Sequence, residues 1–146
     1  DPIGTVFVEG SKLRGTVISG DEIPNLIDEL PIIAVAGAIA SGKTIIKDAE
    51  ELRFKESDRI AVMATHLKSF GVEVIENNDG MEIDGSNKLI SPKKELDSYG
   101  DHRIAMSLAI LNSYGSDEIT ISNVKCVDTS YPEFWKHFKL LGGIIK

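Results

Sequence analysis

Cysteine is nearly absent from this 146-residue sequence, which contains only Cys126. A single thiol excludes an internal disulfide and a cysteine-rich zinc site, and we expect Cys126 to be a free thiol in the core. Aromatic residues are also few, at 6%, but hydrophobic residues as a whole reach 42% of the chain. That proportion predicts one domain with a substantial core.

Long hydrophobic runs and an excess of positive charge are missing as well. The longest apolar run covers residues 31–40, well short of the roughly 20 residues that a membrane-spanning helix needs. No signal segment is recognisable, so we expect a cytoplasmic location and no membrane partner. The formal net charge of -7 argues against a nucleic-acid partner, because nucleic acids are bound by basic surfaces. Any anion-binding site therefore has to be local.

The periodicity of apolar residues changes along the chain in a way that predicts an α/β fold. Residues 29–40 are good helix formers, with Asp28 placed as N-cap, Pro31 in the first turn and Gly42 as the stop. Strands are predicted at residues 5–9, 16–19, 44–47, 72–76, 81–84, 118–124 and 144, and further helices at residues 57–70, 101–113 and 132–141.

Two similar stretches indicate an internal repeat. LKSFGVEVI (residues 67–75) and FKLLGGII (residues 138–145) each end a helix at glycine and continue into a strand. We therefore expect tandem α/β units in one domain, residues 1–146, with approximate units at 5–86 and 87–146 and no linker between them.

One eight-residue stretch matches the phosphate loop of nucleotide-binding proteins. Gly37, Gly42, Lys43 and Thr44 fit the pattern G-x-x-x-x-G-K-[ST] and would indicate an ATP- or GTP-binding protein. A phosphate loop needs a strand before the first glycine and a helix from the lysine onwards. The sequence favours the reverse order, although a buried strand at residues 32–36 stays open, so nucleotide binding is kept as the alternative function.

Ionisable residues are concentrated in two segments, EELRFKESDR (residues 50–59) and DSYGDHR (residues 97–103). Each precedes or opens a predicted helix. The helix starts and the basic side chains of Lys55, Arg59, His102 and Arg103 together suit a small ligand with phosphate and carboxylate groups. Alternatively, both segments are solvated helix starts with surface ion pairs, as in a catalytically silent binding domain.

Three motifs, in this order and at these separations, resemble the signatures of the EPSP synthase family. They are IDELP (residues 27–31), LRFKESDRI (residues 52–60) and DHRIAM (residues 101–106). The resemblance covers nearly the whole chain and is more specific than the phosphate-loop pattern. Because the family's enzymes are more than twice as long and this chain lacks an initiator Met, we expect a C-terminal piece that needs the missing N-terminal part of the enzyme.

The resemblance implies a fold of repeated βαβαββ units and an enolpyruvyl transfer. The family moves the enolpyruvyl group of phosphoenolpyruvate onto the 5-hydroxyl of shikimate 3-phosphate and releases phosphate, in the pathway to chorismate and the aromatic amino acids. The resemblance implies no metal and no organic cofactor. It also implies that the piece alone is inactive.

Site residues follow from the same resemblance, position by position. Asp28 resembles the carboxylate that contacts the shikimate hydroxyls and takes the 5-hydroxyl proton. Glu56 resembles the carboxylate that handles the proton at the methylene carbon of phosphoenolpyruvate.

The expected substrate-binding residues are Lys55, Arg59, Arg103, His102 and Glu51. The two arginines among them resemble those that bind phosphoenolpyruvate in the family. Glu51 stands where some family members have an asparagine. Thr129 stands where some have a lysine, so either Lys125 replaces that charge or this subfamily works without it.

Overall fold

The computed structural model describes residues 3–85 and 88–146. The helices are α1 (Ile23–Leu26), α2 (Leu30–Ile39), α3 (Arg59–Ser69), α4 (His102–Asn112), α5 (Val127–Ser130) and α6 (Phe134–Leu140), and the strands are β1 (Val17–Ile18), β2 (Gly42–Ile46), β3 (Glu73–Asn77), β4 (Gly80–Gly85), β5 (Leu96–Asp97) and β6 (Ile121–Ser122). Short 3₁₀ helices lie at Gly20–Glu22, Glu50–Phe54 and Val124–Cys126. No helix in these two ranges is long and apolar enough to cross a lipid bilayer.

Four strands form the main sheet in the order β1-β2-β4-β3. β1 and β2 are parallel, and β4 is antiparallel to both of its neighbours. With α2 between β1 and β2, and α3 between β2 and β3, the chain follows the predicted βαβαββ order. Side chains alternate across a strand, so Ile18 is buried in the core while Val17 beside it is 52% exposed.

The remaining strands, β5 and β6, form a parallel pair with α4 between them. α4 packs against α2 and α3, and its buried Ile104, Leu108 and Leu111 belong to the same hydrophobic cluster as the main sheet. A smaller cluster joins α4 to the end of the chain through Ala105, Val127 and Phe134, as expected for a last helix anchored by aromatic residues. The start of α4 is therefore held close to the starts of α2 and α3.

Several predicted elements are wrong at the ends of the described chain. Residues 5–9 form no strand, and Phe7 is 93% exposed. This segment makes no backbone hydrogen bond to another described residue, and a strand needs a neighbour to satisfy its backbone groups. Ile144 is likewise exposed outside any strand. The sequence patterns did not indicate β5, α5 or the 3₁₀ helices. Cys126 is a free thiol, as expected, but it is only half-buried and not in the core.

The nucleotide-binding interpretation of Gly37, Gly42, Lys43 and Thr44 is wrong. Gly37 lies inside α2, where an added Cβ would stand 3.0 Å from the Thr44 Cβ, so its role is close packing of helix on strand. Gly42 has φ 84 and begins β2, a conformation that glycine adopts without strain. Helix comes before strand, the reverse of a phosphate loop. Lys43 Nζ instead donates to Glu82 Oε2 at 2.9 Å, across to the neighbouring strand.

Candidate active site

Arg59 is the first residue of α3, and its side chain is 1% exposed. The helix begins here because the Asp58 side chain accepts a hydrogen bond from the Ala61 backbone N–H at 3.0 Å, which caps the helix. Among the described residues, the Arg59 side chain donates hydrogen bonds only to carboxylates, those of Asp28, Glu56 and Asp101. Arg59 is therefore the centre of the candidate site.

Asp101 holds Arg59 from the start of α4. Its Oδ2 accepts from Arg59 Nε at 2.8 Å and from Ser57 Oγ at 3.0 Å, while Oδ1 accepts from the backbone N–H of Arg103 at 2.9 Å. Burial raises the pKa of the Asp101 carboxyl, but the hydrogen bond and charge of Arg59 outweigh that effect and hold the pKa below its usual value. For Arg59, burial alone would lower the pKa, but the hydrogen bond to Asp101 and the charge of Asp101 act in the opposite direction, and the pKa is raised overall. The pair is ionised.

Asp28 lies in the turn between α1 and α2 and faces the same guanidinium. Its Oδ1 accepts from Arg59 Nη1 at 3.1 Å and stands 3.9 Å from Lys55 Nζ. The prediction that Asp28 caps α2 is wrong, because the N-cap is Glu29, which makes no side-chain capping bond. Asp28 instead points towards Arg59, and its side chain remains 50% exposed. That exposure leaves the carboxylate accessible to a ligand.

Glu56 and Lys55 complete the side of the site built by the segment before α3. Glu56 Oε2 accepts from Arg59 Nη2 at 2.7 Å, and its side chain is half exposed. Lys55 Nζ pairs with Glu51 Oε1 at 2.7 Å. The hydrogen bond that Lys55 donates to Glu51 is the main reason that the pKa of Lys55 is raised. Lys55 is therefore a cation between the Glu51 and Asp28 carboxylates.

Arg103 lies on the first turn of α4 and reaches the start of α2. Its Nη1 donates to the backbone oxygen of Asp28 at 2.8 Å and to Glu29 Oε1 at 2.9 Å. Its Nη2 stands 4.0 Å from Asp28 Oδ2 and donates no hydrogen bond to a described residue. Arg103 therefore both positions the Asp28 turn and keeps donors available for a ligand.

The structure leaves three of the discussed residues outside this network. His102 is half-buried on α4 and makes no hydrogen bond or ion pair with the described residues. Thr129 donates to the backbone oxygen of Cys126 at 2.7 Å, and Lys125 is exposed and forms no ion pair with the described residues of this network. The network therefore brings together Asp28, Glu51, Lys55, Glu56, Arg59 and Arg103 of the predicted residues, but not His102.

Sequence reasoning missed two members of the network, Asp101 and Glu29. An aspartate before a predicted helix signals an N-cap, and Asp101 does cap α4. Nothing in that signal shows that the same carboxylate binds an arginine 42 residues earlier in the chain.

The described residues contain no group of three or more His, Cys, Asp or Glu side chains arranged to hold a metal ion.

Comparison with known proteins gives one consistent result. A family model described as EPSP synthase (3-phosphoshikimate 1-carboxyvinyltransferase) matches residues 4–138. The 3-phosphoshikimate 1-carboxyvinyltransferase of Petrotoga mobilis is 46% identical over 99% of this chain and 33% of its own length. That of Roseiflexus sp. is 51% identical over 92% of this chain and 31% of its own length.

A solved structure of EPSP synthase from Acinetobacter baumannii matches with a TM-score of 0.86 at 38% identity, covering 92% of this chain and 32% of that one. The chain belongs to the EPSP synthase family and spans about a third of the length of the curated relatives it matches.

Proposed function

We propose that this chain forms part of an enzyme that transfers the enolpyruvyl group of phosphoenolpyruvate to the 5-hydroxyl of shikimate 3-phosphate and releases phosphate. One observation carries the proposal. Two half-exposed carboxylates, Asp28 and Glu56, flank the buried Arg59 guanidinium, although they come from different segments of the chain. A reaction that removes one proton and delivers another needs such a pair of carboxylates.

The roles of Asp28 and Glu56 fit their free oxygen atoms. Arg59 binds Asp28 through Oδ1 and Glu56 through Oε2. The second oxygen of each accepts no hydrogen bond from a described residue, although Arg103 lies 4.0 Å from Asp28 Oδ2. We assign to Asp28 the removal of the 5-hydroxyl proton as the oxygen attacks. Glu56 protonates the methylene carbon, which makes the adjacent carbon electrophilic, and takes a proton back from the resulting methyl group as the bond to phosphate breaks and phosphate leaves.

The charges of the site explain why the chain needs the rest of the enzyme. Three cations, Lys55, Arg59 and Arg103, face five carboxylates, those of Asp28, Glu29, Glu51, Glu56 and Asp101. Such a surface repels phosphate unless further cations are supplied. We propose that the two thirds of the relatives' length outside this chain supply them, and that this chain alone releases no phosphate.

Substrate placement falls mainly to Arg103 and Lys55 in this account. Arg59 already donates four hydrogen bonds to carboxylates, whereas the Nη2 and Nε groups of Arg103 donate none to the described residues. Arginine donors suit the carboxylate and phosphate of phosphoenolpyruvate. His102 and Glu51 are proposed as secondary contacts with the substrate.

Two further parts of the proposal concern the chain as a whole. We propose that it consists of two repeat units, residues 5–86 and 87–146, and that the enzyme is located in the cytoplasm.

Reconstitution tests this function. The chain is mixed with a purified polypeptide covering the remaining two thirds of a relative, and phosphate release from phosphoenolpyruvate and shikimate 3-phosphate is measured. We expect release by the mixture and none by either part alone. Rapid release by this chain alone, or none by a mixture that demonstrably forms a complex, would contradict the proposal.

A further inference from the structure

Helix α3 carries two side chains, Arg59 and His66, that hold opposite ends of one loop. They are seven residues apart and therefore lie on the same face of the helix. Arg59 binds the Asp101 carboxylate, and His66 Nε2 lies 2.9 Å from the backbone oxygen of Asp97. Because a carbonyl oxygen only accepts, the imidazole Nε2–H is the donor. Residues 97–101 are thus fixed to α3 at both ends.

This loop has a backbone conformation that needs support. Tyr99 has φ 54 and is followed by Gly100 with φ 73, so two successive residues are left-handed. A bulky residue held in this conformation is strained, and the conformation persists only where surrounding contacts impose it. These residues come directly before Asp101. The loop conformation therefore determines where the Asp101 carboxylate lies.

Several of the contacts that hold this conformation are made by Asp97. Its Oδ1 accepts from the backbone N–H of Tyr99 at 2.7 Å and from Asn123 Nδ2 at 2.8 Å. The Asn123 bond and then the Tyr99 bond hold the pKa of the Asp97 carboxyl below its usual value. His66 provides the contact from the core side. It is only 6% exposed, so its hydrogen bond is shielded from water.

We propose that His66 is a positioning residue, which fixes the loop of residues 97–101 so that Asp101 receives Arg59 and orients its guanidinium. The effect on catalysis rests on the function proposed above. The coupling from His66 to Arg59 does not, because it is a property of this chain that can be observed without substrate. Among the described residues, His66 makes no hydrogen bond to a residue proposed to contact a substrate.

NMR of the isolated chain tests the coupling through two signals. The first is the solvent exchange rate of the Arg59 Nε–H, and the second is the pKa of the Asp101 carboxyl from a ¹³C titration. In His66→Phe we expect Arg59 Nε–H exchange to rise by roughly tenfold, the scale of losing one buried hydrogen bond, and the Asp101 pKa to rise towards its usual value. His66→Gln should preserve both signals, because its amide can donate to the same carbonyl.

Two further variants make the result decisive. His137→Gln changes a histidine that bonds Tyr131 and makes no hydrogen bond to residues 97–101, and we expect no change in either signal. Asn123→Gly keeps the left-handed backbone at φ 58 but removes the bond to Asp97, so it tests the loop if His66→Phe does not fold. Unchanged Arg59 and Asp101 signals in a folded His66→Phe, or in Asn123→Gly, would overturn the proposal. So would an equal loss of amide protection throughout α4 and β4, which would assign His66 to general stability.

Discussion

The Arg59 guanidinium and the Asp101 carboxylate form a two-point pair, with Nε 2.8 Å from Oδ2 and Nη2 3.3 Å from Oδ1. The two side chains are 1% and 0% exposed. The pair joins the first residue of α3 to the N-cap of α4. It is therefore both a structural connection between two helices and the base of the candidate site.

Removing Arg59 should strongly destabilise the chain. In Arg59→Met the Asp101 carboxylate stays buried without its partner, and breaking a buried pair in this way costs about 3–5 kcal/mol. Urea unfolding at neutral pH measures the loss. Lys136→Met is the matched control, because Lys136 pairs with Glu133 on the surface, and we expect its unfolding midpoint to stay near that of the unchanged chain. A loss below about 1 kcal/mol in Arg59→Met, the range of surface pairs, would show that the Asp101 pair contributes little.

The stability of the chain should fall in two steps as the pH decreases. Burial lowers the pKa of His66 in the folded chain, so the unfolded chain binds a proton first, below about pH 6.5, and stability falls from there. The depressed pKa of Asp101 adds stability that is full above about pH 4 and is lost as the pH falls further. Both shifts act in the same direction, in separate pH windows.

Urea unfolding of the unchanged chain and of His66→Gln distinguishes the two steps. We expect His66→Gln to lose less stability than the unchanged chain between about pH 7.5 and pH 5.5, because it has no imidazole to protonate. Below about pH 4 the two chains should lose stability in parallel, since both keep Asp101. Equal losses in the upper window would mean that His66 is not held neutral by burial.

Lys43 should be irrelevant to ligand binding. Its ammonium pairs with Glu82 on the main sheet, and the hydrogen bond that it donates to Glu82 is the main reason that the pKa of Lys43 is raised. We expect no amide shifts near Gly37 or Gly42 on titration with Mg-ATP, and none of the reconstituted activity to be lost in Lys43→Ala. Saturable shifts at residues 37–44 with Mg-ATP would revive the nucleotide-binding interpretation.

Residues 5–9 should become a strand only with the rest of the enzyme present. Three consecutive apolar residues here are largely exposed: Val6 at 84%, Phe7 at 93% and Val8 at 91%. Apolar side chains of this kind favour burial on a sheet. We expect their amides to exchange quickly in the isolated chain and at least about tenfold more slowly once the remaining two thirds are added, because a new backbone hydrogen bond protects each alternate amide. The backbone amide of Lys139, an exposed residue on α6, serves as a control whose exchange should not change. Fast exchange in the complex would exclude this segment from the contact.

The sequence predicts the interior of the fold better than its ends. The apolar periodicity predicted a helix at residues 57–70 and strands at residues 72–76 and 81–84, close to α3, β3 and β4, because these are local features. Residues 5–9 have the composition of a strand, but no described residue pairs with them. Local pattern also failed for Asp28, whose position suggested a helix cap, because Arg59 competes for its carboxylate across 31 residues.

In the candidate site, too, local motifs were predicted from the sequence and contacts between distant residues were not. The motifs identified Lys55, Glu56, Arg59 and Arg103 one by one, and the fold brings them together. The role of Asp101 depends on α3 packing beside α4, which no local pattern encodes. His102 matched the family motif as well as Arg103 did, yet only Arg103 makes contacts in the site.

The kinetics of two substitutions in the reconstituted enzyme test the central claim most directly. Asp28→Asn and Glu56→Gln retain the shape of each side chain and an oxygen for Arg59 but remove the ability to exchange a proton at neutral pH. We expect each to lower kcat by about 10²–10⁴-fold, the usual contribution of a general acid or base, while KM changes far less. Glu82→Gln, on the outer face of the main sheet, is the control and should retain full activity. If Asp28→Asn and Glu56→Gln both kept a kcat close to that of Glu82→Gln, the assignment of acid and base in this site would be contradicted.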